Sequence, residues 1–262
     1  MIEIIIRLFL SADIWLKIIV MENIAHMPLA SIVKANHHTV PVLEKYHLDF
    51  CCKGKRTLAQ ACKENNVVEE SVIQELQTVQ NNERIQHIPF NEMTAEQLIN
   101  YIVTHHHFYV KRTVPTIYQH SQRVAAKHGD RFPYMIQVAE LFAGVAEEMI
   151  AHMQKEEMIL FPGIRQLEEL VVSGKADEGN IPYISAPINV MEEEHEHSGN
   201  LLAEIRRLTN DYTAPADACT TFRITIAELK EFEEDLHKHV HLENNILFPL
   251  AENMLQSVAV EK

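Results

Sequence analysis

Two stretches of the chain share a pattern that could hold metal. HMQKEEMILFP begins at His152 and HVHLENNILFP begins at His239, 87 residues later, and both fit H-x-x-x-E-x-x-I-L-F-P. Side chains four apart share one face of a helix, so His152 with Glu156, and His239 with Glu243, can each reach a shared ion. One turn upstream stand Glu148 and Asp235, each four residues before its histidine. The partner segments repeat as well: His107 lies 45 residues before His152, and His195 lies 44 residues before His239. An antiparallel hairpin in each half would bring the upstream histidine beside the His–Glu pair. The two halves together would then supply four imidazoles and two carboxylates with no thiolate. Nitrogen and oxygen ligands of this kind suit iron or manganese, and carboxylates bridge two ions in other bundle-borne sites. A pair of non-haem irons is the economical reading. Structural zinc fits less well, because its closed four-ligand sites commonly recruit cysteine and this set offers six ligands.

The chain has 16 histidines, so a lone one needs no ligand role. His26, His38, His47, His87, His120 and His128 stand outside the repeat and read as ordinary residues. The ILFP tails read as core. Glu148, Glu194 and Asp235 lie near the expected ligands and are left open between acceptors that orient the rings, further ligands and solvated charges.

Those ligands need four long helices to carry them. Thr94 and Gln97 make a capping box, with Met93 and Leu98 as a hydrophobic staple, opening a helix that Gly129 stops. Three further helical patterns span Pro133 to Val172, Pro187 to Asn210 and Pro215 to Leu255. Short links join the first pattern to the second and the third to the fourth, so two hairpins pack as a four-helix bundle over residues 94–257. Pro115, Pro162 and Pro249 fall inside these helices and are expected to kink or locally unwind them. Ahead of the bundle, QNNERIQHIPFNE has no helical period and a proline at Pro89, and residues 81–93 read as a linker. Residues 28–80 read as a small helical domain. A turn carrying Cys51 and Cys52 precedes a helix opened by the Thr57–Gln60 capping box.

Composition agrees with an all-α fold. Seven glycines and one tryptophan accompany long runs rich in Ala, Leu, Glu, Lys, Gln and Met, which favour helix over strand. Lys and Arg total 23 against 37 for Asp and Glu, giving a net charge of -14 that repels nucleic acid and anionic membrane surfaces. The four cysteines, Cys51, Cys52, Cys62 and Cys219, match neither a disulfide framework nor a two-pair zinc site, which points to a reducing cytoplasm. Residues 1–27 form an apolar leader. Arg7, Asp13 and Lys17 interrupt it and no small-residue cleavage site follows, so neither a signal peptide nor a membrane span is expected. Translation starting at Met21 is one reading of it.

With these residues in view, the chain resembles the iron–sulfur cluster repair di-iron proteins, the RIC, ScdA or YtfE family. AHMQKEEMILFP and HVHLENNILFP are similar to that family's SHMxKEExILFP and HxxLENNxLFP. INVMEEEHEHSGNLL resembles its ISVMxxEH segment and places His195 at a ligand position. YIVTHHHFYVKRTVP resembles the segment carrying the first ligand, where the spacing to Pro115 favours His107 over His105 or His106. YHLDFCCKGKRTLAQAC is similar to the short cysteine-pair domain with its DYCCGGKxTL signature, although Lys53 stands where that pattern has the first of two glycines. The resemblance covers almost everything after Pro28. It implies a hemerythrin-like bundle in which His107, His152, His195 and His239 supply two histidines to each iron while Glu156 and Glu243 bridge the pair.

The resemblance further implies repair of clusters damaged by nitric oxide or peroxide, by donation of iron to damaged iron–sulfur proteins. Nitric oxide, oxygen species and a second copy of the chain are further candidate partners. Two other functions fit the same bundle: a redox enzyme that reduces nitric oxide or peroxide, and a binder of diatomic gas. The cysteine pair discriminates between them. A gas carrier has no evident need for Cys51 and Cys52, whereas redox work or docking on client proteins could use them.

Overall fold

The computed structural model describes residues 24–80, 88–175 and 179–260. The leader up to residue 23, residues 81–87 of the expected linker with His87, and residues 176–178 lie outside the described residues. The chain divides into two compact units, Met1–Pro89 and Phe90–Lys262.

The first unit contains α1 (Leu29–Ala35), a 3₁₀ turn (His37–Thr39), α2 (Val40–Lys45), α3 (Leu58–Glu64) and α4 (Glu69–Gln80). Its core is built from Leu29, Ile32, Leu43, Leu48, Phe50, Leu58 and Leu76, all buried. Thr57 opens α3 with the expected capping box, its side chain accepting from the Gln60 N–H while the Gln60 side chain accepts from the Thr57 N–H. The cysteine turn is organised by Asp49, whose Oδ1 accepts from the backbone N–H groups of Cys51, Cys52 and Lys53. Lys53 is not among the residues with positive φ, so this turn tolerates a side chain where the resembled pattern has glycine. Gly54 tolerates none. A Cβ there would stand 2.2 Å from the Phe50 carbonyl oxygen and 2.8 Å from Ala30 Cβ.

The second unit is an all-α bundle of four rods, with no strand among the described residues. The first rod is α5 (Ala95–Ile102) continued by α6 (Phe108–His128), and the second is α7 (Tyr134–Lys155) continued by α8 (Phe161–Ser173). The third is α9 (Ser185–Leu208), and the fourth is α10 (Thr220–Leu242) continued by α11 (Phe248–Val260). α7 packs against α6 and α9, and α10 against α6 and α9, so the rods close a ring around one core. Phe142 and Phe232 meet edge to face inside it, 5.3 Å apart.

Local sequence accounts for most of the ends. The Thr94 capping box is present, and the Glu168 carboxylate from α8 accepts from the Ala95 and Glu96 N–H groups at 2.8 and 3.0 Å. Gly129 follows α6 at a helical φ of -60°, and its role is close approach, because a Cβ would meet the Ala125 carbonyl at 2.5 Å. Two starts differ from expectation. α9 begins two residues before Pro187, which its first turn accommodates. The fourth rod begins at Thr220 and not at Pro215, because Pro215 to Ala218 form a turn whose carbonyls accept from the Arg223 guanidinium.

Three of the rods carry a single π turn: Val103–His107, Glu156–Leu160 and Glu243–Leu247. In each, a backbone N–H reaches the carbonyl five residues back, as Phe161 does to Glu156 and Phe248 to Glu243. Pro162 and Pro249 each stand one residue beyond the end of such a turn, in the first turn of the helix that follows, where a widened preceding turn accommodates the proline ring. Pro115 behaves differently, since α6 continues through it from Phe108 to His128.

Candidate metal centre

The π turns decide where the chemistry sits. Glu156 and Glu243 each open one, and His107 closes the third. Inserting one residue per turn rotates the helix face, so His152 and Glu156 on the second rod, and His239 and Glu243 on the fourth, aim at the bundle axis. His107 from the first rod and His195 from the third complete the set. All six side chains are at most 1% exposed.

They form two overlapping groups, His107, Glu156, His239 and Glu243 in one, and His152, Glu156, His195 and Glu243 in the other. Within each group the candidate ligand atoms lie within 4.8 Å of one another. Glu156 Oε2 stands 3.3 Å from His107 Nε2 and 3.3 Å from His152 Nε2, so one carboxylate touches both groups. Glu243 does the same with both oxygens, Oε1 at 3.0 Å from His239 Nε2 and Oε2 at 3.1 Å from His195 Nε2. The Nε2 atoms of His152 and His195 face each other at 2.9 Å. Two ligands each about 2.1 Å from one ion and at right angles to it are about 3 Å apart, so these separations are of the size that a shared ion would require.

A further observation shows that a cation fits. His107 Nε2, both Glu156 oxygens and Glu243 Oε2 are buried and make no well-oriented hydrogen bond among the described residues, only the side-by-side histidine–carboxylate approaches of 3.1–3.3 Å given above. Buried polar atoms without well-oriented hydrogen bonds are costly, and cations placed among these two groups would relieve that cost. The charges lean the same way. Burial alone would raise the Glu243 pKa, but His239 and His195 overrule it and hold the carboxyl well below its usual value. Burial opposes the charged form of His152, yet Glu156 and Glu243 push its pKa up to about 9. His107 is raised too, its burial outweighed by Glu156, Glu243 and Glu157, whereas burial keeps His239 below the ordinary imidazole value despite Glu243.

Around this set stand groups that fix the rings through Nδ1. His107 Nδ1 donates to Glu157 Oε1 at 2.7 Å, and Lys111 holds the same oxygen at 2.7 Å. His152 Nδ1 donates to Glu194 Oε2 at 3.0 Å, while Lys155 binds the other oxygen of Glu194. His195 Nδ1 donates to Asn244 Oδ1 at 2.8 Å. Of the three acids left open by the sequence, only Glu194 touches one of the six. Asp235 pairs with His106 at 3.0 Å, and Glu148 lies 3.1 Å from His197 and accepts from Ser198. Glu157 and Asn244 were not picked out from the sequence, although each directly follows the glutamate of its repeat.

The lone histidines of the bundle have partners outside these groups. His120 bonds Glu228 at 2.7 Å and His128 lies 3.3 Å from Cys219 Sγ. Cys51 and Cys52 form a small group of their own with Asp49, their sulfurs 3.9 Å apart. The neighbouring Cys52 sulfur, burial and Asp49 push the Cys51 thiol well above its ordinary value. All four cysteines are free thiols.

Comparison with known proteins first gives the class. The hemerythrin HHE cation binding domain family matches residues 98–251, and a domain of unknown function, DUF542 (ScdA_N), matches residues 25–80. Relatives then narrow it. An iron–sulfur cluster repair protein YtfE from Edwardsiella ictaluri is 35% identical over 227 residues, 86% of this chain and 96% of that protein. Its counterpart from Enterobacter sp. is 32% identical over 224 residues, covering 86% and 96%, and ScdA from Staphylococcus haemolyticus is 30% identical over 230 residues, covering 88% and 96%. The chain belongs to the hemerythrin-type iron–sulfur cluster repair proteins. Among the described residues, no helix is long and apolar enough to cross a membrane.

Proposed function

We propose that His107, His152, Glu156, His195, His239 and Glu243 hold two iron ions, and that the protein repairs iron–sulfur clusters damaged by nitrosative or oxidative stress by supplying iron to them. The observation that carries this is the sharing of both carboxylates between two buried His₂Glu₂ groups. Iron held by imidazole and carboxylate is bound without thiolate, so it can be handed to a cluster that supplies thiolates or sulfide of its own. The protein's residues do the rest. Four imidazoles and two carboxylates hold the cargo, Glu157, Glu194 and Asn244 fix three of the rings, and the surrounding core keeps bulk water away. The names of the relatives support iron–sulfur proteins as the clients. The bundle is the iron-holding domain in this reading, and residues 28–80 with Cys51 and Cys52 are an auxiliary domain for redox work or client docking. The cytoplasm, where such clients are made, is the compartment.

Elemental analysis of protein purified without added metal is expected to give about two irons per chain. The iron-loaded protein should then reactivate a nitric-oxide-damaged iron–sulfur enzyme faster than metal-free protein or an equal amount of free ferrous iron. Zinc alone, or no metal after anaerobic iron addition, sinks the di-iron reading. Reactivation that merely tracks free iron, with catalytic loss of nitric oxide, would replace repair by a redox enzyme.

A further inference from the structure

The internal repeat makes the two halves of the centre comparable residue by residue, and they are not equal. Three of the four histidines have an acceptor at Nδ1: Glu157 for His107, Glu194 for His152 and Asn244 for His195. The fourth has none. His239 is fully buried, and its Nδ1 has no hydrogen-bond partner among the described residues.

The repeat also shows which residue would have supplied one. Glu194 directly precedes His195 and holds His152 on the neighbouring rod. The corresponding residue before His107 is His106, which faces His239. Its ring lies nearly parallel to that of His239, 4° between planes with centroids 5.5 Å apart, and its own Nδ1 is engaged by Asp235. A stacked ring gives the neighbouring N–H no acceptor. The position that clamps one histidine in the second group therefore leaves its counterpart in the first group unclamped.

From this asymmetry we propose that the ion held between His107 and His239 is the exchangeable one, and that the ion between His152 and His195 is retained. The proposal rests on the di-iron reading above and adds which ion leaves. An acceptor at the far nitrogen of a ligating histidine fixes the ring and makes the near nitrogen a better donor, and its loss typically weakens metal binding 10–100-fold. In the His152–His195 group both rings have that support, and in the His107–His239 group only one does. Asn244 and Glu194 are thus positioning residues for the retained ion, and His106 is the residue that keeps its counterpart loose.

The test is the time course of iron removal from fully loaded protein by a chromogenic ferrous chelator under anaerobic conditions. The expected result is two phases of equal amplitude, separated roughly 10–100-fold in rate. Asn244→Ala should speed the slow phase toward the fast one, whereas Asn244→Asp, which keeps an acceptor for His195, should restore it. Glu157→Ala should speed the fast phase and leave the slow phase in place. His106→Gln, which introduces an amide oxygen at the position of Glu194 in the other half, should slow the fast phase. A single phase for both ions overturns the proposal. So does a slow phase indifferent to Asn244→Ala, because two equal ions leaving in turn would produce two phases without assigning either to this group. Protein that starts with fewer than two irons fails the di-iron reading itself, a result that initial iron content separates from the kinetics.

Discussion

Glu156 and Glu243 occupy the pivot of the site, because each lies against histidines of both groups. Removing one carboxylate should therefore damage both positions, while removing one histidine damages one. Glu156→Ala is expected to leave well under one iron per chain, and His107→Ala about one, as counted by elemental analysis of protein loaded anaerobically. His120→Ala, which disturbs only an ion pair with Glu228, should match the unaltered protein. Equal iron in all three would mean that the ligands lie elsewhere. That these six side chains come together was legible in the sequence because a duplicated His–Glu spacing is hard to produce by chance. Their pairing was not. The repeat placed each upstream histidine beside the His–Glu pair of its own half, and His107 does lie against Glu156 and His195 against Glu243, but the histidines themselves group across the halves, His107 with His239 and His152 with His195. Spacing along a rod says which side chains share a face and nothing about which neighbour that face meets. Glu157 and Asn244 stayed hidden for a related reason: they hold the offset of the repeat but differ in type, so only proximity to His107 and His195 reveals their common task.

At the scale of elements, capping boxes at Thr57 and Thr94 could be read directly, since both partners lie within four residues. Thr94→Ala is expected to cost about 1 kcal/mol in a denaturant titration while leaving iron content unchanged. The π turns could not be read, because a one-residue insertion is visible only against the helical register around it. Prolines 162 and 249 hinted at disturbance without saying that it takes the form of widening. Inserting one alanine after Ile159, an exposed residue inside the second π turn, adds a residue that the already widened turn does not absorb and should swing the segment carrying His152 and Glu156 by about 100° relative to α8. The expected result is near-native helix content by circular dichroism with iron binding abolished. Retained iron would show that the register set by the turn is dispensable for aiming the ligands.

Over the whole molecule, the division into two compact units predicts independence of their chemistry. Replacing Cys51 and Cys52 by serine should leave iron content unchanged and alter only steps that involve clients, and loss of iron in that variant would refute the division. Removing iron should lower the melting temperature of the bundle, because ions that bind only the folded state stabilise it by mass action, about 4 kcal/mol at a thousandfold excess over Kd. The crossing of the ligand groups carries a consequence beyond stability. The first two rods own His107, His152 and Glu156, the last two own His195, His239 and Glu243, and each group takes two ligands from either pair. On the proposed ligand set, neither pair of rods would be a metal site in its own right; each would be half of a lock whose other half is a near copy of itself. An isolated hairpin spanning residues 90–175 should therefore be a poor iron binder as a monomer and should associate with a second copy of itself when iron is added, which sedimentation with and without iron would reveal.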